Sequence, residues 1–206
     1  HRLVAQSCAV TLTDIREGRW TEIAKRYAQE ALSLIVEAPL YIDAQKGQTV
    51  QRMQSKAARL KSQTGHLDLV IIDQLNHVKP PPGSEKYANR RIDIGFMTRA
   101  LKAMADQLDV PVMVLHQLSR ETEKRDGNKP RLSDLRESGD VEQDADLVIF
   151  PHRDSYFGKT TDERDSRKAE FIVAKQRNGP TGVAQCEYIK EHGLWRDVEA
   201  KASLWT

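Results

Sequence analysis

Leu135-Arg136-Glu137-Ser138-Gly139-Asp140-Val141-Glu142-Gln143-Asp144-Ala145-Asp146 is the most informative segment of this chain. An arginine, a glutamate and a glycine fall in what reads as a tight turn. An acidic segment follows and runs straight into the apolar stretch 147–150. Such a segment has little to pack and much to bind with, and loops held by a scaffold are where function concentrates. Arg136 offers a cation to a phosphate oxygen, and backbone N–H groups around Gly139 do the same without reading bases. Few aromatic residues surround it, so base stacking is not its mode. The plainer alternative is a helix-capping turn in which Arg136 and Glu137 pair with the acids downstream.

Downstream, 147–150 and 171–174 read as short apolar strands. The looser alternation of 183–189, with Leu194-Trp195-Arg196 beyond Gly193, reads as a terminal hairpin. Between them lies Lys175-Gln176-Arg177-Asn178-Gly179-Pro180. Two cations two residues apart at a strand end project to the same side. Asn-Gly-Pro then forces a turn that leaves them exposed. Such a pair suits the γ-phosphate of a nucleotide held by a neighbouring subunit. A solvated basic strand end is the competing reading.

Upstream, 67–72 is an apolar run of strand length ending in Asp73, the pattern of a buried parallel strand. A carboxylate at the carboxyl end of such a strand lies where open α/β sheets bind ligands. In nucleotide hydrolases it holds magnesium, usually through water; otherwise it caps the following loop. Pro111–Leu115 reads as another buried strand, with His116 and Gln117 just beyond it. A neutral amide there can hydrogen-bond a phosphate or a water, or be an ordinary strand-end polar residue. His116 has no signposted partner and reads as a satisfied histidine beside the core.

The first third reads as helical. Trp20, Ile23, Ala24, Tyr27, Ala31, Leu34 and Ile35 recur at helical spacing opposite Lys25, Arg26 and Glu30. Pro39 ends that segment, and Leu40-Tyr41-Ile42 is a short strand candidate. Val50, Met53, Ala57 and Leu60 mark a second helix with Gly65 as its stop. A third runs from about Tyr87 to Leu108, with Ile94, Met97, Leu101, Met104 and Leu108 as its core stripe. Pro80-Pro81-Pro82-Gly83 is a loop, and Glu121–Lys129 reads as a mobile one. Helix and strand alternate early and strands run together late. That order argues for an α/β sheet with helices on both faces and an antiparallel edge.

A chain of 206 residues supports one sizeable core. Its 39% hydrophobic and 30% charged residues exclude a disordered chain. A net charge of +2 advertises no global field for nucleic acid, so phosphate binding must come from a local cluster. Cys8 and Cys186 lie far apart, which excludes a zinc spacing or a disulfide framework and reads as two reduced thiols of a cytosolic protein. No apolar stretch approaches a membrane span, and His1-Arg2-Leu3-Val4 opens no signal peptide. The chain has no initiator methionine and reads as a piece of something longer.

The strand ending in Asp73, the strand ending in Gln117, the 136–146 stretch and 175–180 occur in one order. Together they closely resemble the carboxyl-terminal RecA-like ATPase domain of DnaB-type replicative DNA helicases, over nearly the whole chain. Ala38-Pro39-Leu40-Tyr41-Ile42-Asp43, Leu101-Lys102-Ala103-Met104-Ala105 and Val110-Pro111-Val112 support it. The resemblance implies a P-loop NTPase core, mostly parallel, with an antiparallel carboxyl-terminal edge. One partial domain would cover 1–206, with 1–64 mainly helical and 67–200 carrying the sheet and its loops. It implies that Asp73 is the Walker B carboxylate, touching Mg through water, and that Gln117 senses phosphate. Lys175 and Arg177 would reach the ATP site of the adjacent subunit in a homo-hexamer. Arg136, Glu137 and Gly139 would line the channel and grip single-stranded DNA. Primase and a helicase loader are the further partners implied, with no membrane; the setting is the cytoplasm of a bacterial cell or a phage-infected bacterium.

The departures from the family are specific. Its glycine-rich Walker A loop, with Lys and Thr, and its catalytic glutamate are absent, so the central P-loop strand is missing. Gln74, Asn76, His77 and His116 replace more usual residues. The expectation is a fragment that exposes apolar sheet edges, binds ATP poorly and hydrolyses it negligibly alone. The competing function is a non-catalytic DNA-binding or assembly module derived from a RecA-like ATPase.

Overall fold

The computed structural model describes residues 2–7, 10–80, 90–119, 122, 128–158 and 166–198, the side chains of 90, 91 and 136–140 excepted. Cys8, Pro81-Pro82-Gly83, the helix start at Tyr87 and most of Glu121–Lys129 lie outside the described residues. The chain divides into two compact units. One comprises His1–Asp43, Pro151–Ile172 and Gly182–Thr206; the other comprises Ala44–Phe150 and Val173–Thr181.

The second unit carries the candidate site. Helix α4 (Val50–Thr64) starts at Thr49, whose side chain accepts from the Arg52 N–H, and stops at Gly65. Gly65 has φ +83, a left-handed conformation that glycine takes without penalty, and its N–H closes on the Lys61 carbonyl. Helix α5 (Arg90–Leu108) buries the whole expected stripe of Ile94, Met97, Leu101, Met104 and Leu108. These pack with Val50, Ile72, Leu75, Val78 and Val110 as one core. Lys61 Nζ donates to the Leu108 carbonyl at 2.5 Å, closing the end of α5.

Strands β1 (Val70–Ile72) and β2 (Val112–Val114) are parallel, with Val70 opposite Val112, Ile71 opposite Met113 and Ile72 opposite Val114. They form a two-stranded sheet, whereas β3 (Leu147–His152), β4 (Lys168–Gln176), β5 (Gly182–Ile189) and β6 (Leu194–Asp197) follow one another in a separate one. The expectation of two doubly buried strands is corrected. Ile71 is 58% and Met113 49% exposed, and Leu69 and Leu115 also face water. Helix α5 covers only one side of this pair, and among the described residues nothing layers the other. Strand β3 alternates likewise, burying Val148 and Phe150 and exposing Leu147 and Ile149.

The first unit packs α1 (Arg2–Ser7), α2 (Leu12–Glu17) and α3 (Glu22–Glu37) around Val4, Ala5, Val10, Ile15 and Ala28. Thr21 caps α3 by accepting from the Ala24 N–H, and the helix ends before Pro39. Its buried stripe differs from the expected one. Ala24, Ala28, Ala31 and Ile35 turn inward while Ile23 (70% exposed), Tyr27 and Leu34 turn outward. Small residues let the short α1 approach closely, so close packing outweighs bulk in choosing the face. Leu40-Tyr41-Ile42 is not a strand. It has no ladder partner among the described residues and Ile42 is 81% exposed. The expected hairpin is present, β5 and β6 pairing antiparallel with Tyr188 opposite Trp195.

Candidate functional site

Asp73 and Gln117 stand on neighbouring segments past the carboxyl ends of β1 and β2. The Leu115 N–H donates to the Ile72 carbonyl at 3.0 Å, and the Leu75 N–H donates to the Leu115 carbonyl at 2.9 Å. These two bonds clamp the Asp73-Gln74 step against the β2 exit, and its peptide bond is cis. Both Asp73 and Gln117 are exposed. Gln117 is not the end of the strand proper, because β2 stops at Val114 and the glutamine follows three residues later. Helix α5 lies behind, so the strand ends are presented from a rigid base.

Beyond Gln117, the Ser119 N–H donates to the Asp134 carbonyl at 3.4 Å, and Asp134 Oδ2 accepts from the Arg131 N–H at 2.8 Å. That second contact fixes the start of a 3-10 turn, Leu132–Ser138, which leads directly into helix α6 (Gly139–Asp144). The segment 135–144 is therefore two short helical pieces rather than an open polar turn. The Asp134 side chain supplies the local hydrogen bond that starts the first piece, and the Ala145 N–H to Val141 carbonyl bond (3.1 Å) closes the second. The side chains of Arg136, Glu137 and Gly139 lie outside the described residues.

At the far end of α6 the cations of β4 come in. Lys175 Nζ donates to the carbonyls of Glu142 (2.6 Å) and Gln143 (3.1 Å). A cation there satisfies carbonyls that the last turn of a helix leaves without partners. Arg177 donates its backbone N–H to the Asp146 carbonyl at 2.8 Å, and its Nη1 lies 2.7 Å from Asp146 Oδ1. Lys102, from α5, takes Asp146 Oδ2. The Lys102 hydrogen bond is the largest effect on the Asp146 carboxyl; burial opposes it, and the charges of Lys102, Arg177 and Lys175 add to it, so the carboxyl is held below its ordinary value. Thr98 Oγ1 donates to Asp144 Oδ2 at 2.5 Å, a second tie between α5 and α6. Lys175 and Arg177 share a side as expected, but they are not simply exposed. Lys175 is half-buried and both are engaged by their own chain.

Asp146, Lys102 and the α6 carbonyls were not picked out by sequence reasoning. The available signal was an acid placed immediately before an apolar strand, with a basic pair at another strand's end. Gly158-Lys159-Thr160 carries the Lys and Thr on which the family's Walker A loop ends. The tripeptide of a phosphate loop is present, but Arg153 stands where that loop needs its first glycine, and the segment follows β3 instead of opening the core. Gly158 closes a 3-10 turn, 154–157, with φ +70; Lys159 and Thr160 lie outside the described residues. Arg153 stacks on the Tyr188 ring with its guanidinium carbon 3.9 Å from the ring centre, and Trp195 bridges Tyr188 to Phe171.

Could these residues take a metal-bound nucleotide? Magnesium arriving with phosphates needs one or two carboxylates, keeps waters, and uses no all-protein cage. A lone exposed carboxylate at Asp73 fits that requirement. No cluster of three His, Cys, Asp or Glu able to hold a metal occurs among the described residues. No described helix is long and apolar enough to cross a membrane.

A parallel strand pair with a carboxylate and an amide beyond its carboxyl ends, helices behind it and a separate sheet carrying the antiparallel hairpin make a RecA-like ATPase core. Residues 1–197 match the family described as the DnaB-like helicase C terminal domain. The replicative DNA helicase DnaB of Geobacillus stearothermophilus is 36% identical over 200 residues, covering 97% of this chain and 43% of that protein. That of Mycobacterium intracellulare is 41% identical over 185 residues, covering 87% of this chain and 30% of its own length. Among solved structures, one described as an ATPase domain superposes with a TM-score of 0.88 at 34% identity, covering 96% of this chain and 69% of that one. A DnaB-like replicative helicase, studied for its interactions with primase, gives the same TM-score and identity, with 96% and 47% covered. The chain belongs to the DnaB-like helicase C-terminal domain family. It spans less than half the length of these curated relatives.

Proposed function

We propose that this chain is part of the ATPase domain of a hexameric replicative DNA helicase, one that couples ATP hydrolysis to movement along single-stranded DNA and to duplex unwinding. The observation that carries the reading is the arrangement in the second unit. The turn leading into α6 is tied at one end to the β2 exit that bears Gln117, and at the other to Lys175 and Arg177. The family match over residues 1–197 supports it. Single-stranded DNA, identical subunits, primase and a loader are the partners, and the bacterial cytoplasm is the setting.

In this reading Asp73 would hold magnesium through water, and the chemistry supplied there would be neutralisation of charge on the phosphates. Gln117 donates its amide to the γ-phosphate or the attacking water. Lys175 and Arg177 place two cations at the phosphates of the next subunit, where such a finger stabilises transition-state charge. Arg136, Glu137 and Gly139 face the channel and hold DNA by its backbone. The chain contributes no Walker A cradle, so it binds ATP weakly and turns it over negligibly by itself.

The test is Arg177→Ala in the parent protein that contains this chain. ATP hydrolysis by the assembled ring should fall about a thousandfold or more, the scale of a lost arginine finger. In rings mixed with wild-type subunits, the loss should track the number of interfaces lacking the arginine. Hydrolysis kept within about twofold would refute the placing of Arg177 at the neighbour's phosphates, whereas no hydrolysis by the wild-type parent ring would refute the enzyme reading and favour a non-catalytic DNA-binding module.

A further inference from the structure

We infer that Asp146 is the positioning residue of a joint that ties the turn at 136–139 to the strand-end cation Arg177. The joint lies in the two residues between α6 and β3. One residue there meets Arg177 twice, by its carbonyl to the Arg177 N–H at 2.8 Å and by its carboxylate to Nη1 at 2.7 Å. The second carboxylate oxygen is taken by Lys102 on α5. Just before it, the Glu142 and Gln143 carbonyls receive Lys175, and Asp144 receives Thr98. Lys175 is therefore fastened to the last turn of the helix that follows the 136–139 segment, and Arg177 to the second residue beyond that helix.

Three physical points make this a transmission and not only a brace. Helix α6 has six residues, so it is about 9 Å long and moves as a rigid piece. A displacement of the turn at its start appears at its end. A guanidinium carries five N–H donors, and the Asp146 side-chain contact occupies Nη1. The carboxylate can thus orient Arg177 while donors remain for phosphate oxygens. Lys102 pins the same carboxylate to the core helix α5, giving the joint a fixed pivot. The inference rests on the proposed role of Arg177 at a neighbour's phosphates. What it adds is the route by which DNA held at the turn changes how that arginine is aimed.

The measurement is ATP hydrolysis by the parent ring with and without a mixed-sequence single-stranded oligonucleotide, for wild type, Asp146→Asn, Asp146→Glu and Arg177→Ala. Asp146→Asn keeps shape and loses charge. The ratio of DNA-stimulated to DNA-free rate should fall about fivefold or more, the lower bound of a typical coupling between sites. Asp146→Glu should restore most of that ratio. A merely structural role lowers both rates together and leaves the ratio alone, which would overturn the joint, as would an unchanged ratio with unchanged rates. If Asp146→Asn does not assemble, Lys102→Gln, which frees the pivot, carries the same criterion. Arg177→Ala separates the two levels. Loss of hydrolysis there with a normal ratio in Asp146→Asn sinks the joint alone, whereas full hydrolysis in Arg177→Ala sinks the reading beneath it.

Discussion

Replacing Lys175 with methionine should loosen α6 without disturbing α5. Methionine keeps an unbranched apolar stem and removes the ammonium that donates to the Glu142 and Gln143 carbonyls. A hydrogen bond to a charged group contributes about 1.5–3 kcal/mol net. Only the 2.6 Å bond to Glu142 is partly buried, while the 3.1 Å bond to Gln143 is exposed and adds little. A cation at a helix carboxyl end adds about 0.3–1 kcal/mol. Together the loss is about 2 kcal/mol, or about a 30-fold increase in local opening. Hydrogen–deuterium exchange with mass spectrometry reads this directly in a peptide covering 139–146, where the Ala145 N–H bonds the Val141 carbonyl. A peptide covering 94–104 in α5 is the internal control. Exchange of 139–146 within about threefold of wild type would refute the claim that Lys175 closes this helix. Equal acceleration of the α5 peptide would refute the claim that its effect is local.

Met104→Ala should destabilise the second unit by about 2–5 kcal/mol, the range for emptying a fully buried site, because Met104 is 0% exposed; denaturant unfolding measures it. Gly65→Ala should cost about 1–2 kcal/mol through the left-handed φ alone, since no atom lies within 4 Å of the added carbon; thermal unfolding of the pair checks that it strains backbone and not packing. Cys186 is buried and its thiol is pushed up, first by that burial and then by Asp197 and Glu170. Alkylation mapped by mass spectrometry should therefore leave Cys186 unmodified near neutral pH until the protein is unfolded. The Asp146 carboxyl is held below its ordinary value of 3.8, with Lys102 the first cause. Its contribution is thus fully present above that value and is lost as pH falls through the lowered folded value. Acid unfolding followed by hydrogen exchange of peptides from the second unit should show a shallower loss below about pH 4 in Asp146→Asn than in wild type.

Periodic residues buried on one face were legible in the sequence. The α5 stripe and the Gly65 stop of α4 follow from helical spacing and cap chemistry, both local. The parallel strands were legible as strands, because a run of branched apolar residues ending in Asp73 has few other readings. What hid was anything set by a partner distant in sequence. The face of α3 depended on which side α1 approached, and that favoured alanines over Ile23 and Leu34. Leu40-Tyr41-Ile42 has strand composition, but composition does not supply a neighbouring strand. At the candidate site, residue type at strand ends singles out Asp73, Gln117 and the cation pair, and the structure places the first two past the ends of β1 and β2 and the cations at the end of α6. Asp146 was passed over as one acid in an acidic segment, because its significance lies in a register across about thirty residues to Arg177. The helical form of 132–144 was missed for the opposite reason, since a glycine and clustered charges look like an open turn until Asp134 is seen holding the Arg131 N–H.

Ile71 and Met113 sit side by side on the uncovered face of the β1–β2 pair, with Leu69 and Leu115 at either end, while β3 turns Leu147 and Ile149 to water. Apolar area of this kind is adhesive in dilute solution. Taken by itself, the chain should behave as a colloid whose association rises with concentration and is strengthened by sulfate, which drives burial. Its handling in the test tube would then be governed by the bare side of two short strands, well before nucleotide or DNA enters the question.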